Sequence, residues 1–331
     1  MVNAAPQRNA TAPGADAFAA LLPQTLRRLQ RRILAWYAGN RRDLPWRRTT
    51  DPYAILVSEV MLQQTQVSRV VPKYEDWLAS LPTLEALAAA PLEEVLRLWR
   101  GLGYNNRARR LRECALAVCA AADEGRAADE RSTSNGALAS GEGPASRAAP
   151  APDGALATGR TSAPRSAGAS LPRDVASLRA LPGIGPYTAR AVLIFAHNDD
   201  VAAVDANVRR VLTHELGLPQ DLPERELQAI ADAALPRGRS RDWHNALMDY
   251  GALVLTARVT GIAPRTRQSA FEGSRRWYRS RLLRTLLDEG ALAVPALAAR
   301  LEVPESEAAD LVALLERDGL VRREGALVRV A

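Results

Sequence analysis

Apolar residues recur at helical spacing along most of this chain. In the first such run, between about 23 and 38, Leu26, Leu29, Ile33, Leu34 and Tyr37 alternate with arginines. Asp51-Pro52 marks the next start, because aspartate suits an N-cap and proline the first helical position. The spacing predicts helices over about 52–62, 66–79, 83–89, 91–99 and 105–120. It predicts more over about 173–180, 186–197, 205–216, 224–234 and 241–256. No strand alternation interrupts these runs.

Two stretches lack the period. Residues 1–20 are small and polar and predict a flexible tail. Residues 121–170 hold Leu138 and Leu156 as their only large apolar side chains, too few to offset the entropy of ordering. They are expected to form a disordered insertion within a helical domain of residues 21–262. From 263 a basic linker leads to another pattern: a helix at 275–289, Val294–Leu301, the turn Glu302-Val303-Pro304, and Glu305–Asp318. Leu320–Arg323 and Ala326–Val330 then alternate like a hairpin. Helix, turn, helix and two-stranded wing predict a winged-helix-like domain, which either contacts DNA or packs as an appendage.

Composition narrows the chemistry. Hydrophobic residues are 47% of the 331, enough for one large core or two modest ones. Charged residues are 24%, and no run of about 18 uncharged apolar residues is present to span a membrane. The first residues carry no basic run followed by an apolar core, so a cytoplasmic, nucleoid-associated location is expected. Two cysteines, Cys114 and Cys119, exclude a disulfide scaffold and a four-thiolate cluster. The net charge of +7 favours an anionic partner, nucleic acid first. Of 44 basic residues only Lys73 is a lysine, so any mechanism needing an amine has one side chain available.

The strongest local signal is Leu181-Pro182-Gly183-Ile184-Gly185-Pro186-Tyr187-Thr188-Ala189-Arg190-Ala191. Gly183 and Gly185 let the backbone turn and approach a ligand closely. The helix that follows offers free N–H groups to one phosphate, the helix-hairpin-helix pattern. Around it stand Leu44-Pro45-Trp46-Arg47, Asp51-Pro52-Tyr53 and Val57-Ser58-Glu59-Val60-Met61-Leu62-Gln63-Gln64-Thr65-Gln66-Val67. Leu98-Trp99-Arg100-Gly101-Leu102-Gly103-Tyr104, Val204-Asp205-Ala206-Asn207-Val208-Arg209-Arg210-Val211 and Asn245-Ala246-Leu247-Met248-Asp249-Tyr250-Gly251-Ala252 complete the set. Together these segments, over about residues 25–255 without the insertion, resemble the A/G-specific adenine DNA glycosylases of the helix-hairpin-helix superfamily.

The resemblance implies an all-α fold of two helical lobes around a cleft, with the small winged-helix-like domain appended. It implies a monomeric enzyme acting on double-stranded DNA with adenine opposite 8-oxoguanine or guanine, by flipping the base out of the stack. Glu59, among apolar neighbours that raise a carboxyl pKa, matches the acid that protonates the leaving adenine. Asp205 matches the carboxylate that stabilises an oxocarbenium-like sugar, and also reads as an N-cap. Asn207, in the same motif, is expected to position the attacking group. Tyr187 stands where strand-cutting relatives carry a Schiff-base lysine, which predicts base removal without efficient strand cleavage. Gln64 is expected as a wedge in the duplex and Tyr104 as a stacking or intercalating ring. Trp46, Arg47 and Asn245 are expected to line the adenine pocket, although the family usually places Gln or Glu at the position of Asn245.

Two departures accompany this match. Most relatives carry a four-cysteine iron–sulfur loop after the segment that here ends Gly251-Ala252-Leu253-Val254, and this chain continues Leu255-Thr256-Ala257-Arg258. No cluster, and no other cofactor or metal, is therefore expected. Arg265–Arg281, an arginine-rich segment with Phe271 and Trp277, is the candidate to replace its DNA-contacting loop. The resemblance would also bring a Nudix-like C-terminal domain that reads 8-oxoguanine; a short winged-helix-like tail is expected in its place. Three other readings remain open: a thymine- or uracil-mismatch glycosylase, an abasic lyase, and a non-catalytic DNA-binding protein. The lysine shortage weighs against the lyase. Retention of both Glu59 and Asp205 weighs against the binding protein.

Overall fold

The structure, a computed structural model, describes residues 15–138, 168–265 and 270–331. Its helices are α1 (Ala15–Asn40), α2 (Pro52–Leu62), α3 (Val67–Ser80), α4 (Leu84–Ala89), α5 (Leu92–Leu98), α6 (Asn106–Leu138), α7 (Val175–Ala180) and α8 (Pro186–Val192). There follow α9 (Ala206–Glu215), α10 (Glu224–Ala233), α11 (Ser240–Leu253), α12 (Ala257–Thr260), α13 (Arg275–Glu289), α14 (Val294–Leu301) and α15 (Glu305–Arg317). Strands β1 (Leu292–Ala293), β2 (Val321–Glu324) and β3 (Leu327–Val330) lie in the C-terminal part. Among the described residues no helix is long and apolar enough to cross a membrane.

Local chemistry explains the starts. Asp51 caps α2 by accepting from the Tyr53 N–H at 3.0 Å, with Pro52 at the first position. Asp205 caps α9, accepting from Val208 N–H at 2.6 Å. Two expectations of disorder are corrected. α1 begins at Ala15, inside the expected tail, and runs through Pro23. α6 continues to Leu138 where composition predicted disorder from 121. Ala120, Ala121, Ala122 and Ala127 are strong helix formers, and a helix already nucleated on the apolar turns of 106–118 extends cheaply without an apolar stripe. The rest of the expected insertion, 139–167, lies outside the described residues.

The chain divides into two compact units. The first comprises the described residues up to Gln63, Arg173–Arg179 and Ile184–Ser274. Its core includes Leu26 and Ile33 of α1, Val211 and Leu212 of α9, and Trp243 and Leu247 of α11. α9 and α11 cross closely at Gly251, where an added Cβ would stand 2.8 Å from the Asn207 Cβ and 3.1 Å from its backbone. Gly251→Ala is accordingly expected to destabilise by roughly 1–3 kcal/mol through overpacking, measurable as a lower Tm. His244 ties α11 to the strand-like run before α9: its Nδ1–H donates to Ser240 O at 2.8 Å, and its Nε2 accepts from Ala203 N–H at 3.0 Å. Burial pushes its pKa down to about 4, so the ring is neutral and keeps this tautomer.

The second unit comprises the described residues of Gln64–Pro172, Ala180–Gly183 and Arg275–Ala331. Trp77 of α3 and Trp99 after α5 meet edge to face at 5.5 Å, both fully buried. The order α13, β1, α14, α15, β2, β3, with the sheet arranged β1-β3-β2, is the winged-helix topology. Its core contains Leu282 and Leu286 of α13, Leu297 of α14, Leu311 and Leu315 of α15, and Val328 of β3. The two-residue strand β1 was not legible in the sequence. Two residues carry no alternation, and the strand exists only because Leu292 and Ala293 pair with Val328 and Leu327.

Candidate active site

The first unit gathers eight of the sequence-predicted residues on five neighbouring segments. α2 is apolar on every side, and Tyr53 through Met61 are all buried. That is why Glu59, 7% exposed, stands in low dielectric. Burial pushes its carboxyl up to about 7 against two opposing influences, a hydrogen bond from Tyr187 and the charge of Arg47; nearby Asp205 adds to the rise. Glu59 therefore holds a proton through much of the neutral range.

Tyr187 is on the first turn of α8, whose N-cap is Gly185. Desolvation and the two carboxyls, Glu59 and Asp205, push its phenol well above the ordinary value, so it stays a neutral donor. α8 widens into a π-helical turn at Leu193–His197, ended by left-handed Asn198. Gly183, in the turn before α8, belongs to the second unit. It adopts φ +78°, and a Cβ there would stand 2.8 Å from the Arg110 Cβ. The turn therefore requires glycine for both its conformation and its close approach.

Asp205 and Asn207 are built as one device. The Asp205 side chain accepts from Val208 N–H at 2.6 Å and from Asn207 Nδ2 at 2.9 Å, while Asn207 Oδ1 accepts from Arg210 at 2.6 Å. Burial raises the Asp205 carboxyl above its ordinary value, and these donors and the Arg210 charge only partly oppose the rise. Glu59 has less compensation. Both carboxyls are raised by burial, but Asp205 accepts from Val208 N–H and Asn207 Nδ2, donors that stabilise its ionised form, whereas Glu59 reaches about 7.

Trp46 and Arg47 are carried by a single 3-10 turn, Pro45–Arg47. The Arg47 guanidinium makes a two-pronged pair with Asp249 of α11, at 2.7 and 2.8 Å, and Arg42 Nε meets the same carboxylate at 2.5 Å. Arg42 N–H also donates to it at 3.0 Å. The Asp249 side chain is completely buried. Burial alone would raise its pKa, and the two arginines reverse that and hold it below the ordinary value. Asn245, one helical turn before Asp249, is buried at 7% exposure. The guanidinium expected to face the base is therefore committed to Asp249 at both terminal nitrogens.

Gln64 and Tyr104 belong to the second unit. Both are non-glycine residues with left-handed backbone, φ 56° and 48°, and both are exposed. Such conformations cost about 1–2 kcal/mol and persist where surroundings enforce them. The Tyr104 ring has Arg107 on it at 5.6 Å and Arg276 of α13 at 5.6 Å, and Arg276 also donates to its hydroxyl. Arg107 is fixed by Leu102 O and Gly103 O at 3.0 Å and Thr65 at 3.2 Å, and lies over Trp99.

Four participants escaped sequence reasoning as individuals: Arg42, Asp249, Arg210 and Arg276. Asp249 had a usable signal, an acid at i+4 from Asn245 in an apolar helix. Arg210 donates to Gly251 O at 2.6 Å and Leu255 O at 2.5 Å, and Arg209 to Ala263 O at 2.5 Å. These two side chains hold the segment after α11, where Leu255 and Ile262 are buried.

That segment does not suit an iron–sulfur cluster. The chain's two thiols lie on α6 of the other unit, and burial pushes Cys114 up to about 12, away from thiolate. Among the described residues no three His, Cys, Asp or Glu stand together to hold a metal ion. Lys73 is on α3, 3.9 Å from Asp76. The arginine-rich segment 265–281 is divided: 266–269 lie outside the described residues, and Arg265 binds Leu222 O at 2.6 Å. Arg279 pairs with Asp318, and Arg281 lies 4.6 Å over Trp277.

Comparison with known proteins gives concordant results. A family model described as "HhH-GPD superfamily base excision DNA repair protein" matches residues 57–236. The Adenine DNA glycosylase of Mycolicibacterium smegmatis is 40% identical over 237 residues, covering 70% of this chain and 66% of that protein. The human Adenine DNA glycosylase is 34% identical over 68% of this chain, but the match spans only 35% of the human protein. The chain thus covers less than two thirds of these relatives' length. Among solved structures, a thermostable thymine-DNA glycosylase has a TM-score of 0.53 at 26% identity, covering 71% of this chain and 89% of that one. Endonuclease III bound to DNA has a TM-score of 0.52 at 19% identity, covering 73% and 90%, and shares the fold.

Proposed function

Because the chain belongs to the HhH-GPD superfamily of base excision DNA repair proteins, we propose that it is an adenine DNA glycosylase acting on adenine opposite 8-oxoguanine or guanine. The observation that carries this reading is a pair of buried carboxyls in unlike settings: Glu59, raised by burial to about 7, and Asp205, also raised by burial but opposed by the Val208 N–H, Asn207 and Arg210, which favour its ionised form. The turn through Gly183 and Gly185 holds the DNA backbone. Gln64 and Tyr104 occupy the space opened in the duplex, and the flipped adenine lies against Trp46, Arg47 and Asn245. Glu59 gives its proton to the adenine as the C1′–N9 bond breaks and its electron pair leaves with the base. The cationic sugar is stabilised by Asp205 until water adds at C1′, on the side that Asn207 orders. The water's proton returns to Glu59, leaving an abasic site.

Tyr187 offers no amine, so the reaction ends at base removal. Its hydroxyl instead orients the Glu59 carboxyl. The enzyme works without an iron–sulfur cluster: two cysteines cannot supply four thiolates, and Arg209 and Arg210 hold the corresponding segment through backbone carbonyls.

The test is excision from duplexes carrying adenine opposite 8-oxoguanine, guanine or cytosine, with thymine opposite guanine in parallel. Each is scored with and without alkali. The expected result is cleavage at adenine opposite 8-oxoguanine and guanine that appears only after alkali. Cleavage at thymine alone would replace this reading with a mismatch thymine glycosylase, for which the fold similarity at 26% identity leaves room. Cleavage without alkali would reject the assignment to Tyr187.

A further inference from the structure

A winged helix ordinarily meets DNA with the second helix of its helix-turn-helix and with its wing. Here those surfaces have the wrong charge. α15 carries Glu305, Glu307, Asp310 and Glu316 against Arg317 alone. In the wing, Arg322 and Arg329 pair with Glu324, and Arg323 pairs with Glu316. A duplex would be repelled by the helix and offered little by the hairpin.

The contacts of this domain within its own unit point elsewhere. Asp288 at the end of α13 pairs with Arg100, which lies just before the Gly101–Asn105 loop. Gly319, after α15, sits against the Arg109 side chain of α6, at an approach of 3.4 Å for an added Cβ. Arg276, on the first turn of α13, reaches the ring and hydroxyl of Tyr104. Three contacts thus converge on the short stretch from Arg100 to Arg109. At its centre is an exposed aromatic side chain in a left-handed conformation, between two guanidinium groups. That is the form of a base-stacking platform, and one of its two cations is supplied by the appended domain.

We propose that Arg276 is a positioning residue for DNA engagement: the C-terminal winged helix acts in cis, holding Tyr104 in its left-handed pose so that the ring meets the duplex already oriented. The domain thereby reads no sequence itself. Its contribution is preorganisation, since a ring held in one pose loses less freedom when it stacks. Arg107 is bound within the loop and fixes the ring's base, while Arg276 fixes its hydroxyl end. The inference rests on the DNA-repair reading for its ligand, and on the geometry above for its direction.

The experiment is a double-mutant cycle on the full chain, with Arg276→Ala, Tyr104→Ala and the pair. Two readouts are taken: single-turnover excision of adenine opposite 8-oxoguanine, and affinity for a duplex bearing a tetrahydrofuran abasic analogue at several salt concentrations. Arg276→Ala is expected to weaken both about tenfold, the equivalent of one charge-assisted hydrogen bond. It should add nothing to Tyr104→Ala, and the salt dependence of binding should stay unchanged. Arg276→Lys, which keeps the charge without the planar fork, is expected to recover only part of the loss. Multiplicative effects with a shallower salt dependence would overturn the proposal, because Arg276 would then contact a phosphate directly. Faster excision by Arg276→Ala would overturn it in favour of a restraining contact, and no effect of either single variant would also overturn it. The analogue carries no base to excise, so loss of adenine activity with intact binding would reject the substrate assignment while the cycle still reads the coupling.

Discussion

Glu59→Gln is expected to lower base excision by roughly 10²–10⁴-fold, the range typical for loss of a positioned general acid, while duplex affinity is retained. The reason is chemical and local. An amide of the same shape keeps the packing within α2 and can still accept from Tyr187, but it has no proton to give to a departing purine. The same residue governs the pH profile. Burial raises the Glu59 carboxyl to about 7, and the protonated form is the active one. Wild-type excision should therefore hold steady below neutrality and fall about tenfold per pH unit above roughly 7. The residual rate of Glu59→Gln should lack that alkaline limb. A variant with a nearly wild-type rate, or one whose rate still falls above pH 7, would remove Glu59 from the role of acid.

Asp249→Asn is expected to have the largest effect on stability. The wild-type carboxylate lies completely buried and receives Arg47 through both terminal nitrogens, Arg42 Nε, and the Arg42 backbone N–H. An asparagine of equal volume removes the charge and turns one acceptor into a donor facing a guanidinium. Breaking a buried pair from one side costs about 3–5 kcal/mol, because the remaining charge is left uncompensated. For a chain of this size, that corresponds to a fall in Tm on the order of 10 °C. The acid limb of stability supplies a second readout. The folded-state pKa of Asp249 is depressed, so its contribution is complete above the ordinary carboxylate value and is lost as pH falls through the folded value. The variant should lose that component of acid sensitivity. An unchanged Tm would mean that the pair contributes orientation alone. Excision should fall in either case, since Arg47 is held beside Glu59 by this carboxylate.

Helix placement was legible because its determinants are local. The Asp51-Pro52 start, the Asp205 cap and the apolar faces of α3 and α9 need only neighbours a few positions away. The winged-helix order was legible for the same reason, apart from β1. The family resemblance singled out Glu59, its apolar flanks predicted a raised carboxyl pKa, and the structure supplies the burial that raises it. Composition misjudged residues 121–138 because it asks whether a segment can bury a face, whereas an alanine-rich extension of an existing helix needs no face to bury.

By itself, then, the sequence determined the order of helices, the location of their caps, and the two carboxyls with the tyrosine between their motifs. Only the tertiary structure decided which charges meet. Arg42 and Arg47 lie 207 and 202 positions from Asp249, and Arg276 lies 172 from Tyr104. No periodicity encodes such pairs, since a charged side chain on a helix reads as solvated until a partner from elsewhere buries it. Chain-local rules govern hydrogen bonds within a turn or two. Desolvation and long-range ion pairing depend on what the fold brings alongside, and those two effects set the charge state of this site.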